Sequence, residues 1–232
     1  MSAKQLLPGS SSFNKNPAAS ENIPERRNCI SVSRLFKSYG ELSVLSDLSF
    51  SVEDKEICCL MGPSGSGKTT LFRILMGLET ADSGEISVPA RLGAVFQENR
   101  LIGHLSPIEN VRLVMAPGPK AEQRKQIASV LCEILPPECL DRPAHTLSGG
   151  MKRRLAAARA LLSDCDALIM DEPFSGLDLD TRHQVIHFIR KHRNSRPLLL
   201  STHASEDASL LQARILSLQR MQPSGERGTG PV

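Results

Sequence analysis

The sequence predicts an α/β protein. Its core sheet carries a phosphate-binding loop, an antiparallel β subdomain precedes that loop, and an α-helical subdomain is inserted after it. Three observations carry this. The stretch Gly62-Pro63-Ser64-Gly65-Ser66-Gly67-Lys68-Thr69-Thr70 follows a short apolar run, residues 56–61, and leads into residues 70–76, apolar at helical spacing and closed by Gly77. Two roughly alternating runs lie ahead of it, one through Ile30, Val32 and Leu35, the other from Val44 to Val52. From Leu101 to Leu140 the apolar residues recur at helical spacing, with no strand pattern among them.

Taken in order, residues 1–28 are rich in Ser, Asn and Pro, and their apolar residues come in fragments such as Leu6-Leu7. No apolar region of about 7–15 residues follows Lys4, so the stretch is not a secretory signal and reads as a disordered extension. Ordered chain is expected from Cys29. The two alternating runs then form an antiparallel layer beside the main sheet. Tyr39, the single tyrosine, ends the first run. There it is either a packing residue or a ring that stacks on an adenine.

The glycine loop has the form G-x-x-x-x-G-K-[ST] without a mismatch. Glycines let its N–H groups turn inward around phosphate oxygens, and the new helix end favours an anion. Lys68 is placed to reach the β- and γ-phosphates, and the Thr69 hydroxyl to ligate Mg²⁺. Residues 81–84 read as a polar turn, and residues 92–96 as a strand running into Gln97. At a strand's carboxyl end, Gln97 lies on the ligand side of an α/β sheet and is a candidate for contact with Mg²⁺ or water.

Within the helical insert, one short helix follows Ser106-Pro107. A second is marked by Ile127, Val130, Leu131, Ile134 and Leu135 and is stopped by Pro136-Pro137. Leu147-Ser148-Gly149-Gly150 opens an Ala-rich helix over residues 151–162, with Ser148 as a good N-cap and free N–H groups suited to a second phosphate. By itself that turn is an ordinary cap. Residues 167–170 form an apolar strand running into Asp171-Glu172-Pro173. The pair invites a division of labour: Asp171 holds the metal, and Glu172 orients or deprotonates the attacking water. Residues 198–203 form a strand ending at His203, residues 206–211 a helix, residues 215–218 a last strand, and residues 219–232 a loose polar tail.

Composition sets the outer limits. The chain has 232 residues, 40% hydrophobic and 23% charged, an ordinary globular balance. Aromatics are only 3%, so the core is aliphatic. A net charge of +3 is too even for a nucleic-acid surface. The six cysteines show no C-x-x-C pair and read as reduced core thiols of a cytosolic protein. No apolar run approaches the roughly 18–20 residues of a membrane helix.

Together these landmarks resemble the ATP-binding cassette family, a P-loop NTPase core with those two subdomains. Residues 62–70 resemble its Walker A, residues 168–172 its Walker B and residues 147–150 its signature. Ser175-Gly176-Leu177-Asp178 resembles its D-loop, and His203 its switch histidine. Gln97 falls at the Q-loop position and Tyr39 at the adenine-stacking position. The resemblance spans residues 29–218, with the helical subdomain at about 101–160. Met151 departs from the Gln usual after the signature and is similar to cassettes of nitrate, sulfonate and taurine-type importers.

The resemblance implies two copies meeting head to tail, with ATP and Mg²⁺ as cofactors. Ser148, Gly149 and Gly150 of one copy bind the γ-phosphate held by the other, Asp178 ties the sites together, and His203 holds the water or the phosphate. Thr69, Gln97 and Asp171 surround the metal; Glu172, His203, Lys68 and Gln97 carry the chemistry. It implies a peripheral place on the cytoplasmic face of the inner membrane. Its partners there are a separate permease, docked beside Gln97 and residues 98–101, and a substrate-binding protein. A cassette acting as a switch on nucleic acid or ribosomes is the competing reading, and a regulator without hydrolysis a third. One cassette, a small insert and near-neutral charge favour transport, while Glu172 and His203 argue for hydrolysis.

Overall fold

The computed structural model describes residues 29–218. The expected extension at 1–28 and tail at 219–232 lie outside the described residues. Two sheets organise the chain. The first is antiparallel, in the order β2-β1-β4, from β1 (Ile30–Tyr39), β2 (Leu42–Val52) and β4 (Ser83–Ser87). The second is parallel, in the order β5-β6-β7-β3-β8. Its strands are β3 (Ile57–Met61), β5 (Leu92–Val95), β6 (Ala167–Met170), β7 (Leu198–Ser201) and β8 (Arg214–Ser217).

The middle strands are apolar along their length because both faces of the parallel sheet are covered. Side chains alternate between the faces. Cys59, Met170, Leu198 and Leu200 join one core with the helices α2 (Pro107–Arg112), α3 (Lys120–Leu131), α4 (Gly149–Leu162), α5 (Leu179–His192) and α6 (Ser205–Leu211). Cys58, Leu60, Ile169 and Leu199 join the other core, with α1 (Lys68–Leu75) and the antiparallel sheet. Leu71 and Phe72 are fully buried there. Each such side chain contributes about 1.5–3 kcal/mol of burial. Cys58 and Cys59 are buried free thiols, as read from the sequence.

Three elements differ from the sequence reading. The stretch 81–84, expected as a polar turn, is half strand: β4 already begins at Ser83 and pairs with β1 through Ser31, Val32, Ser33 and Phe36. Ile86 is its one large apolar residue, so pairing with β1, and not its own pattern, makes it a strand. Gly84, at φ +105°, sits where an added Cβ would lie 2.4 Å from the Arg34 carbonyl oxygen, beside the bulge that Arg34 makes at φ +46°. Helix α5 is covered by no expectation from the sequence, although Val185, Ile186, Phe188 and Ile189 give it a buried stripe. Helix α3 ends at Leu131, short of Pro136. Ile134 and Leu135 are still buried, but from a turn.

Candidate functional site

All strands of the main sheet run the same way, so the loops after β3, β5, β6 and β7 open on one edge. Strand β7 separates β3 from β6 and leaves the phosphate loop and the two carboxylates facing each other across it.

Helix α1 starts without a side-chain cap; its N-cap Gly67 is left-handed, at φ +93°. The first amides of α1 therefore stay free of side-chain acceptors, as an anion site requires. Lys68 is buried and donates to the carbonyl oxygens of Gly62 (2.8 Å) and Pro63 (3.0 Å). The buried Ser66 hydroxyl has no partner in the loop. An uncapped helix end, a lysine and an orphaned hydroxyl fit a phosphate chain.

Asp171 follows β6 directly and is 3% exposed. One carboxylate oxygen accepts from the Thr69 hydroxyl at 3.0 Å, the other from the Ser201 hydroxyl at 2.7 Å. Glu172 takes the left-handed conformation at φ +47°, uncommon for a residue with a Cβ. Its amide donates to Ser201 Oγ at 2.8 Å, and its Oε1 meets His203 Nε2 at 2.6 Å. A cavity of about 350 Å³ is lined by Glu172, Ser175, Gly176, Arg182, His203 and Asp207. A second crevice, of about 170 Å³, gathers Thr69, Arg73, Gln97, Arg100 and Asp171. Its Gln97 wall is pinned from behind. Buried Arg153 of α4 donates to the carbonyl oxygens of Phe96 (2.8 Å) and Gln97 (2.7 Å). Burial pushes the Arg153 guanidinium below its ordinary value, against the pull of Glu172 and Asp171.

Tyr39 ends β1 with its ring about half exposed, at 48%. Its hydroxyl donates to the Glu79 carboxylate and lies beside Thr70. The bond to Glu79 raises the phenol's pKa.

The remaining predicted residues lie elsewhere. Ser148 caps α4, accepting from the Met151 amide at 3.2 Å. Ser148, Gly149 and Gly150 line neither crevice. A Cβ built on Gly149 would meet nothing within 4 Å, so this chain gives no steric reason for glycine in the first turn of α4. Asp178 caps α5, accepting from the Thr181 amide (2.9 Å) and hydroxyl (2.8 Å), and these bonds hold its pKa below the ordinary carboxylate value. Ser201 and Arg153 were not singled out in the sequence. The one signal for Ser201 was a hydroxyl closing an all-leucine strand.

A parallel sheet, an uncapped phosphate loop and a carboxylate pair on the strand two places away define a P-loop ATPase, an enzyme that binds and hydrolyses ATP. The chain belongs to the ABC transporter family, whose model matches residues 45–175. It is 38% identical over 195 residues to the aliphatic sulfonates import ATP-binding protein SsuB 1 of Nocardia farcinica, a match covering 82% of this chain and 78% of that protein. It is 34% identical over 210 residues to the sulfate/thiosulfate import ATP-binding protein CysA of Halalkalibacterium halodurans, covering 82% of this chain and 59% of that longer protein. The dimeric structure of MJ0796, a bacterial ABC transporter cassette, superposes with a TM-score of 0.74 at 26% identity, over 82% of this chain and 94% of that one. The same cassette in a post-hydrolysis state with ADP and Pi also gives 0.74, over 86% and 99%. No helix among the described residues is long and apolar enough to cross a membrane.

Proposed function

We propose that this chain is the motor subunit of an importer for a small sulfur oxyanion or sulfonate. In this reading two copies work against a separate membrane permease on the cytoplasmic face of the inner membrane, with a binding protein delivering the cargo. The sulfonate and sulfate relatives support that substrate class. The observation that carries the paired arrangement is the exposed glycine start of α4. Ser148, Gly149 and Gly150 begin α4 at the surface, outside both crevices, with a glycine that nothing in its own chain demands. A γ-phosphate presented by a second copy gives that glycine a reason. The dimeric relative supports the same arrangement.

The roles of the side chains follow from their places. Residues 62–70 wrap the phosphates with backbone amides, and Lys68 leaves the Gly62 and Pro63 carbonyls to meet them. Tyr39 stacks on the adenine. Thr69 and Asp171 offer a hydroxyl and a carboxylate 3.0 Å apart, with Gln97 across the crevice. No group of three or more His, Cys, Asp or Glu side chains suited to a metal exists among the described residues. A hard ion that keeps waters and takes phosphate oxygens fits that sparse donor set, which is the habit of Mg²⁺. When bound, Mg²⁺ supplies charge neutralisation on the phosphates. Glu172 takes the proton of the attacking water, and His203, hydrogen-bonded to Glu172, holds the phosphoryl side. Asp178 at the end of the D-loop faces the partner copy, and the groove beside Gln97 receives the permease.

The test is Glu172→Gln. Turnover should fall by about 10²–10⁴, the usual worth of a general base, while ATP binding persists. The variant should then elute as an ATP-dependent dimer on size exclusion. A variant that stays monomeric with ATP and hydrolyses it at the parental rate overturns the reading.

A further inference from the structure

We propose that Ser201 is a positioning residue for both carboxylates of the site, resting on the reading of Asp171 and Glu172 above. Its hydroxyl aims the Asp171 carboxylate and holds Glu172 in its left-handed backbone conformation.

Ser201 ends β7, the strand between the phosphate-loop strand β3 and the carboxylate strand β6. It is 0% exposed, at the back of the cavity that Glu172 and His203 line, and acts through its neighbours. A serine hydroxyl has one hydrogen to donate and lone pairs to accept. Both capacities are used here. It donates to Asp171 Oδ1 at 2.7 Å and accepts from the Glu172 amide at 2.8 Å. The other Asp171 oxygen is taken by Thr69 at 3.0 Å. The carboxylate is thus held on one oxygen from the end of the neighbouring strand β7 and on the other from the first turn of α1. If the Thr69 hydroxyl turns to a ligand, the Ser201 bond is the one that remains.

Glu172 at φ +47° holds a conformation that costs energy for any residue with a Cβ and persists only where its surroundings impose it. The Ser201 bond to its amide is one such restraint. The conformation directs the Glu172 side chain to His203, two residues past Ser201 on the same chain segment, at 2.6 Å. One strand end therefore supplies both the backbone and the side-chain partner of Glu172. Alanine at 201 would leave a half-buried amide without its acceptor and remove a donor from a buried carboxylate. Glu172 can then relax out of the left-handed region, which swings its carboxylate off the water position. The phosphate loop, which follows β3, makes no bond to the Ser201 hydroxyl and keeps its grip on ATP.

The experiment compares wild type, Ser201→Ala, Ser201→Thr and Glu172→Gln in the full chain. It measures steady-state hydrolysis and hydrogen exchange of the Glu172 amide. For Ser201→Ala, kcat should drop roughly tenfold or more while KM for ATP stays within about twofold. Its Glu172 amide should exchange about tenfold faster or more. Ser201→Thr, which restores a hydroxyl, should recover both. If Ser201→Ala keeps wild-type kcat while Glu172→Gln is inactive, the Ser201 proposal fails alone. If Glu172→Gln turns over normally, the underlying reading fails instead. Equal loss of kcat and ATP affinity in the alanine variant, without recovery by threonine, marks a purely structural role and overturns the proposal. Should Ser201→Ala not fold, the wild type decides. A Glu172 amide exchanging at the rate of an open loop refutes the claimed restraint.

Discussion

Asn110 is 1% exposed on α2 and ties down the loop after Gln97. Its side-chain nitrogen donates to the carbonyl oxygens of Ile102 (3.1 Å), Leu105 (3.2 Å) and Ser106 (3.1 Å). Its Oδ1 accepts from the Ile102 amide at 2.9 Å. Consider Asn110→Ala. The three carbonyls share the two hydrogens of this amide and each keeps a backbone donor, from Leu105, Ala144 and Asn110 respectively, so their loss costs about 1 kcal/mol in all, near the low end per bond. The Ile102 amide loses its acceptor, which costs about 1–3 kcal/mol. The sum is about 3 kcal/mol. At roughly 2–4 °C per kcal/mol for a domain of this size, Tm should fall by about 6–12 °C. Asn110→Asp should be at least as damaging, because it keeps the acceptor but turns a carboxylate oxygen toward three carbonyls. The assay is a thermal melt followed by circular dichroism, with urea midpoints as a check. A Tm loss below about 2 °C for Asn110→Ala would show that the loop does not depend on this bracket.

Three further expectations are open to measurement. Tyr39→Ala should weaken ATP binding about 5- to 100-fold, the worth of one stacked base, while Tyr39→Phe keeps the ring and holds affinity; equal affinities in all three proteins would remove Tyr39 from the nucleotide. Burial pushes the Cys58 thiol up to about 11 and the Cys59 thiol up to about 12. At pH 8 a thiol reagent should therefore label exposed Cys132 quickly and reach the buried pair only on unfolding, a difference that mass mapping of labelled peptides would expose. Asp82 is held below its ordinary pKa by the Ser38 amide and Lys37, Glu109 by the Ser106 amide, and Glu56 by Arg214. With folded values depressed, the stability they contribute is complete above their unfolded values, about pH 4, and is lost as pH falls through the folded ones. Urea midpoints should thus match at pH 7 and 5.5 and decline below about 4, and a midpoint unchanged at pH 3 would contradict this sign.

Much of the site was legible because its parts are contiguous in the chain. The phosphate loop, the Asp171-Glu172 pair and His203 each sit at the end of an apolar run, and a parallel sheet must bring such ends to one edge. The strand cores were legible for the same reason: both faces are buried, so no polar residue interrupts β3, β6 or the leucines of β7. β4 was not legible. Its burial is slight, and its register is borrowed from β1, about fifty residues earlier in the chain.

By itself the sequence determined which chemical groups the edge of the sheet would carry, because loop glycines, caps and strand ends are local features set by neighbours a few residues apart. Only the tertiary structure decided which of those groups touch. The Ser201 hydroxyl lies 30 residues from Asp171, and Arg153 lies 56 from Gln97. Each pair meets because strand order and helix packing close the distance. A hydroxyl or a guanidinium carries no mark in the sequence of the partner that folding will assign to it.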